Sequence, residues 1–348
     1  MLLTGNRLDQ ISIDTPKGIP LTLDLSDIRL GSGSARCAVQ KDSGDDPDIT
    51  NGILIYAQVE RALRGITLRG GKGVGRVTMP GLDQPAGAFA INSAPREMIA
   101  KELTQTAKAC GYEGGFLVTL SIPDGEKLAK RTFNPRLGIE GGLSIIGTTG
   151  IVEPMSHQAM IDTVRLNLRQ LQATAARSVL LTPGNYGETF ARDHLKLLMN
   201  NHVSCSNFIG DAIDIAAEFG FTQIFLIGHI GKMVKLGLGI TNTHSSYGDG
   251  RMETLLACAL EAGGDMILLN EISRSVTADA ALAAIQKAGL TQKTMNALGN
   301  RIRFHLSRRV PDGVTIGYLC FTKIDLMDKI LIQSDNADEL MESLRNPL

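Results

Sequence analysis

The sequence has no tryptophan, and only 10 phenylalanines and 5 tyrosines among its 348 residues. It also lacks a run of about 18 or more apolar residues, so no transmembrane helix is expected. The N-terminus, MLLTGNRLDQ, carries no basic segment followed by a long apolar stretch, which excludes a secretory signal and leaves the cytoplasm as the expected compartment. An excess of either charge is missing too: 35 basic residues stand against 36 acidic ones, a net charge of −1. That balance removes the sequence-independent attraction to nucleic acid or to an anionic membrane, and neither is expected as a partner. The cysteines, Cys37, Cys110, Cys205, Cys258 and Cys320, are odd in number, far apart and without a CxxC pair. A disulfide framework and a zinc ribbon are both excluded, and reduced thiols are expected. None of the six histidines falls in an HxH or HExxH pattern, so no protein-bound metal is expected. A GxSxG elbow is absent as well, which argues against a serine hydrolase.

What the chain does have is glycine, 38 residues of it, clustered rather than spread. Clustered glycine marks tight turns or backbone that approaches a ligand closely. The first part reads as strands with turns: Gln10–Ile13 and Pro20–Leu25 around Pro16-Lys17-Gly18, then Ala35–Gln40, Ile53–Glu60 and Ile66–Leu68. A helix capped by Asn92 or Ser93 runs to about Cys110, and Phe116–Ile122 is a further strand. The glycine-rich stretch 134–156 reads as a junction. Beyond it, helices alternate with strands: helix 156–173, strand 178–182, helix 188–199, strand 203–205, helix 207–219 capped by Ser206, strand 223–227, helix 249–262 capped by Asp249, strand 265–269, and helices 278–288 and 291–308. The expected fold is therefore an N-terminal α+β domain over 1–146, followed over 147–348 by a three-layer, Rossmann-like α/β domain with a largely parallel sheet. In such a sheet ligands sit outside the carboxyl ends of the strands. That points to Pro183–Glu188 (PGNYGE), Ser206-Asn207-Phe208 and Gly228–Lys235 (GHIGKMVK).

Several motifs have both a chemical and a plain reading. Gly71-Lys72-Gly73-Val74-Gly75 matches a GxGxG loop, but Val77-Thr78-Met79-Pro80 follows where a helix should begin. It is either a structural turn or a turn that meets an anion through Lys72 and Arg76. Asp42, Asp45, Asp46 and Asp48 crowd one loop without the EF-hand pattern, leaving a solvated or lysine-paired turn or a binding role. Gly228-His229-Ile230-Gly231-Lys232 is not a P-loop, since Met233 follows the lysine. Cations at Lys232 and Lys235 near a helix start oppose the helix dipole, and a bound carboxylate would compensate them. Arg251 suits bidentate binding of a carboxylate. Unaided, these residues imply a two-domain α/β enzyme with a glycine-lined site for an anionic ligand.

The same segments carry a resemblance. KDSGDDPDIT (from Lys41), GGKGVGRVTMPGL (from Gly70), AINSAPR (Ala90–Arg96), TFNPRLGIEGGLSIIGTTGIVEPMS (from Thr132), PGNYGE, SNFIG, GHIGKMVKLGLGITNTHS and DGRME occur in this order over nearly the whole chain. Together they resemble the CbiD-type cobalt-precorrin-5B (carbon-1) methyltransferase family. Members of that family open with a GYTTG-type segment leading into an Ala-rich helix, and Met1-Leu2-Leu3-Thr4-Gly5 looks like the end of that region.

The resemblance implies S-adenosyl-L-methionine as methyl donor and cobalt-precorrin-5B as acceptor. It implies cobalt-precorrin-6A as product, within anaerobic cobalamin (vitamin B12) biosynthesis, with the cobalt belonging to the substrate. On that reading His229 and His244 are the candidate bases. Gly184, Asn185, Glu188, Ser206 and Asn207 are the candidate donor-binding residues. Arg76, Arg96, Arg136, Lys232, Lys235 and Arg251 are the candidate partners of the acceptor's carboxylates. Two other classes remain open: a phosphate- or nucleotide-handling transferase, and a non-catalytic tetrapyrrole-binding protein.

Overall fold

Alternation of apolar and polar residues at the start of the chain makes a hairpin. β1 (Gln10–Asp14) pairs antiparallel with β2 (Pro20–Asp24), and the half-buried side chains fall at every second position. The computed structural model describes residues 1–44, 48–132, 134–147, 150–151, 157–324 and 327–345. These divide into two units, Met1–Ser156 and His157–Leu348.

In the first unit the hairpin is followed by β3 (Ser26–Leu30), β4 (Ser34–Gln40), β5 (Leu54–Ala62), β6 (Ile66–Gly70), β7 (Arg76–Val77), α1 (Ser93–Ala109), β8 (Gly115–Ser121), α2 (Gly125–Ala129) and β9 (Ile139–Glu140). A mixed sheet takes the order β3-β4-β5-β8-β6, antiparallel except where β6 runs parallel to β8. Phe116, Val118 and Leu120 alternate onto one face of β8, where Ile99, Leu103 and Ala107 of α1 cover them at helical spacing. The cap of α1 differs from the expected one. Asn92 occupies the cap position without using its side chain. The Asp83 carboxylate instead accepts the Ser93 N–H at 2.6 Å and the Ser93 hydroxyl at 3.0 Å.

The glycine-rich loop is closed by backbone hydrogen bonds within the fold. The N–H groups of Gly71, Val74, Gly75 and Val77 all donate to backbone carbonyls, of Leu120, Gly71, Leu143 and Ala88. Gly73 has φ +74°, and a β-carbon there would overlap the Ile122 carbonyl oxygen. β-Carbons at Gly125 or Gly142 would overlap the Gly73 carbonyl. Three backbone segments cross at a distance only glycine permits. In the aspartate-rich loop, Asp45 and Asp46 lie outside the described residues. Asp48 is bonded by the Lys41 ammonium and by the N–H and hydroxyl of Thr50, at 2.8 and 2.7 Å. Burial pushes its carboxyl up, but these hydrogen bonds outweigh burial and hold it below the usual range.

The second unit contains α3 (His157–Ala173), β10 (Ser178–Thr182), α4 (Asn185–Asp193), β11 (His202–Ser204), α5 (Ile209–Glu218), β12 (Gln223–His229), α6 (Ile230–Met233), α7 (Arg251–Glu261), α8 (Met266–Ser273), α9 (Ala278–Lys287), α10 (Thr291–Ser307), β13 (Thr315–Ile324), β14 (Met327–Gln333) and α11 (Ala337–Arg345). The sheet order is β11-β10-β12-β13-β14, parallel except for the antiparallel edge strand β14. Both faces are covered, so the central strands carry unbroken apolar runs, Val179-Leu180-Leu181 in β10 and Ile224–Ile227 in β12. Val179, Leu181, Ile224 and Leu226 pack with α3, α5 and α7–α10. Leu180, Phe225, Ile227, Leu319 and Phe321 pack with α4 and α11. The mixed α/β fold class matches the sequence expectation.

Four local expectations are corrected. Residues 265–269 are not a strand but the start of α8: Asp265 accepts the Leu268 N–H at 2.9 Å, and the buried Leu268, Leu269 and Ile272 follow helical spacing. Asp249 does not cap α7, because Gly250 takes the cap position at φ +60° and the Asp249 carboxylate is held by Arg251. Ser206 does not cap α5. It sits at φ +52°, two residues before the cap position at Phe208. Helix α4 begins at Asn185 and ends at Asp193, earlier than the expected 188–199, and Lys196 beyond it has φ +54°.

Candidate active site

In the second unit the chain passes from β10 outward to β11, then crosses back to place β12 on the other side of β10. The carboxyl ends of β10 and β12 therefore flank a topological switch point, the position at which ligands bind in sheets of this kind. Gly184 follows β10 at φ +104°, a conformation reserved for glycine, and opens α4. A β-carbon at Gly184 would stand 3.6 Å from the Lys232 Nζ. The same ammonium donates to the Ser206 carbonyl at 3.2 Å. Lys232 thus lies between the loops that follow β10 and β11, brought there by α6, which follows β12 directly.

Lys232 is half-buried, and among the described residues no carboxylate pairs with it. Burial pushes its pKa down, the nearby Cys205 opposes that, and Lys235 adds to it. Cys205 beneath it is fully buried and pushed up to about 12 by burial, so it stays a neutral thiol. Asn185 is exposed beside Gly184, Tyr186 is 74% exposed, and Glu188 lies 3.8 Å from Arg192. Asn207 is tied down: its side-chain oxygen accepts from the Thr243 hydroxyl at 3.1 Å and its carbonyl from the Thr243 N–H at 2.9 Å.

His229 ends β12 with its ring fixed. Its Nδ1 accepts the Gly231 N–H at 3.2 Å, so in the neutral ring the proton is on Nε2. Nε2 faces Asp279 Oδ1 at 3.6 Å. The ring lies edge-on to Phe321, with centroids 5.6 Å apart, and 6.1 Å from the ring of Tyr186. His244 is arranged alike: Nδ1 accepts the Ser246 N–H at 3.2 Å and lies 2.7 Å from the Ser246 hydroxyl. Both histidines therefore present an N–H rather than a lone pair, a geometry suited to donating a hydrogen bond. His244 belongs to an exposed group with His157 and Tyr247, whose hydroxyl lies 3.1 Å from His157 Nδ1.

Of the other expected residues, Lys235 is buried, and its ammonium donates to the carbonyls of Thr243 and Gly248 at 3.1 and 2.8 Å. It braces the loop before α7. Arg251 is engaged by Asp249; hydrogen bonding between them raises the arginine and lowers the carboxylate. Arg76 and Arg96 belong to the first unit. Arg76 donates to the Gly87 carbonyl at 2.8 Å and stacks on Phe89 at 3.9 Å. Arg96 donates to the Ile91 carbonyl at 2.7 Å. The side chain of Arg136 lies outside the described residues. Gly184, Ser206, Lys232 and His229 are brought to one sheet edge, with Tyr186 and Asp279, which the sequence alone did not single out. Among the described residues no group of His, Cys, Asp or Glu side chains is placed to hold a metal ion.

The second unit is thus an α/β unit whose largely parallel sheet carries at its switch point a half-buried cation with no carboxylate partner among the described residues. The family described as CbiD matches residues 1–154, and the family described as CbiD, C-terminal domain, matches residues 242–335. A protein of Ruminiclostridium cellulolyticum named cobalt-precorrin-5B C(1)-methyltransferase is 41% identical over 346 residues, covering 99% of this chain and 90% of its own. One of the same name from Thermoanaerobacter sp. is 43% identical over 318 residues, covering 91% and 86%. A crystal structure of a cobalamin biosynthesis protein (cbiD) from Archaeoglobus fulgidus is 22% identical, with a TM-score of 0.35 over 82% of this chain and 77% of that one. The chain belongs to the CbiD family.

Proposed function

We propose that this protein transfers a methyl group from S-adenosylmethionine to carbon 1 of cobalt-precorrin-5B, giving cobalt-precorrin-6A in cobalamin biosynthesis in the cytoplasm. Relatives that cover nearly the whole chain carry the name of that reaction. The structural observation that carries the reading is Lys232: a half-buried ammonium with no acidic partner among the described residues, at the meeting of the Gly184 and Ser206 loops. Such a cation fits a carboxylate, which the donor bears on its methionine moiety. The exposed Asn185 and the partly buried Glu188 stand beside the same loop, and a glutamate suits ribose hydroxyls. When bound, the donor supplies an electrophilic methyl group on a sulfonium sulfur.

The chain's own contribution is to hold and align. Lys232 fixes the carboxylate end, Gly184 leaves the backbone open beside it, and Asn207 with Thr243 stiffens the neighbouring loop. Alignment of two bound reactants accounts for much of the barrier reduction in such displacements.

The test is an anaerobic incubation of the protein with both substrates, followed by mass analysis of the corrinoid. One methyl replacing one hydrogen, located at carbon 1, is expected; an unchanged corrinoid overturns the proposal. S-adenosylhomocysteine should raise the melting temperature, whereas ATP should leave it unmoved.

A further inference from the structure

We propose that Asp279 accepts the proton released from the macrocycle in the methylation inferred above, on which this assignment rests. His229 and Thr322 act as its positioning residues.

A neutral carbon nucleophile that gains a methyl group without an electron pair is left one positive charge richer. It discharges that charge by losing a proton. The C–H or N–H bond of the macrocycle breaks, its electron pair stays in the ring system, and an O–H bond forms on the acceptor. An acceptor at this sheet edge needs a lone pair that no protein donor has taken. His229 does not offer one: its Nδ1 accepts the Gly231 N–H and its Nε2 bears hydrogen.

Asp279 does offer one. It stands in the first turn of α9, where Thr277 already supplies the cap through the Ala280 N–H at 3.1 Å. The carboxylate is thus free of the capping task and turned toward the strand ends. The hydroxyl of Thr322, a residue only 1% exposed, donates to Oδ1 at 2.6 Å. His229 Nε2 faces the same oxygen at 3.6 Å. Both neighbours address Oδ1, and Oδ2 has no partner among the described residues. The carboxylate is about half exposed, so solvent can carry the proton away. Tyr186 and Phe321 bracket the His229 ring, which keeps the N–H directed at the carboxylate.

The experiment compares wild type with Asp279→Asn, Asp279→Ala, Asp279→Glu and Thr322→Val in turnover and in S-adenosylhomocysteine affinity. Asp279→Asn is expected to lower kcat by about 100-fold or more, the range of general-base effects, with donor-product affinity unchanged. Added acetate should restore turnover to Asp279→Ala, Asp279→Glu should retain part of it, and Thr322→Val should lower kcat less than Asp279→Asn does. Nitrogen NMR of the unliganded wild type should show His229 protonated at Nε2 and bare at Nδ1. Full kcat in Asp279→Asn, loss in Asp279→Ala that acetate does not repair, or the opposite histidine tautomer overturns the assignment. A wild type that binds both substrates but leaves the corrinoid unmethylated overturns the methyltransferase reading itself, and this inference with it.

Discussion

At the scale of the residue, burial acts on two basic side chains at the strand ends. His202 bonds Thr182 at 2.8 Å, and burial holds its pKa below the usual 6.5, with Glu188 pulling the other way. The unfolded chain therefore binds the proton more readily. The stabilising contribution of neutral His202 is complete above pH 6.5 and is lost as pH falls below it. His202→Gln should flatten the dependence of melting temperature on pH in that acid range, which calorimetry can follow. Lys232 poses a conflict between stability and binding, since a half-buried cation with no carboxylate among the described residues destabilises the unliganded fold. Lys232→Met should raise stability by about 0.5–2 kcal/mol, the usual gain when a functional group is removed. It should also weaken S-adenosylhomocysteine binding at least tenfold, by titration calorimetry. Lys232, His229 and Gly184 were legible in the sequence because each lies at or just beyond the end of an apolar strand. Asp279 and Thr322 were not: they meet His229 only through the parallel pairing of His229 with Phe321 and the packing of α9. The burial of Lys235 was illegible for the same reason, because its carbonyl partners Thr243 and Gly248 lie in a later loop.

At the scale of the element, the glycines of the first unit separate into two kinds. Gly65 has φ +73° with nothing near a β-carbon, so Gly65→Ala costs only the left-handed backbone, about 1–2 kcal/mol. Gly73 has nearly the same φ but its β-carbon would overlap the Ile122 carbonyl, so Gly73→Ala should cost about 4 kcal/mol or more. Urea melts of the two variants measure the difference. The cap of α8 offers a smaller test: Asp265→Ala should cost about 1 kcal/mol in the same melts. Residues 265–269 had read as a strand because Met266-Ile267-Leu268-Leu269 is an unbroken apolar run, which periodicity cannot assign. Burial resolves it: Met266 and Ile267 are 70% and 77% exposed, while Leu268 and Leu269 are buried. The hairpin, β4–β6, α1, α3, α9 and α10 were legible because their periodicity agrees with clear turn or cap residues. β3 was not, since Ser26–Leu30 is largely exposed at the sheet edge and carries no apolar stripe.

At the scale of the molecule, near-zero charge governs behaviour between molecules more than fold. With a sequence pI of about 6.6, light scattering should show the strongest self-association near that pH and weaker association on either side. The order of the second sheet acts on a different scale, that of time. β12 and β13 are immediate neighbours, from Gln223 opposite Thr315 onward, yet five helices, α6–α10, lie between them in the chain. As the polypeptide leaves the ribosome, β12 emerges with an unpaired edge and must wait for its partner until all five helices have been synthesised. Such distant parallel pairings form slowly and leave strand edges open to wrong partners. Nascent chains stalled just before Thr315 should therefore hold chaperones longer than chains released past Gln333, by which point β13 and β14 can both add to the sheet.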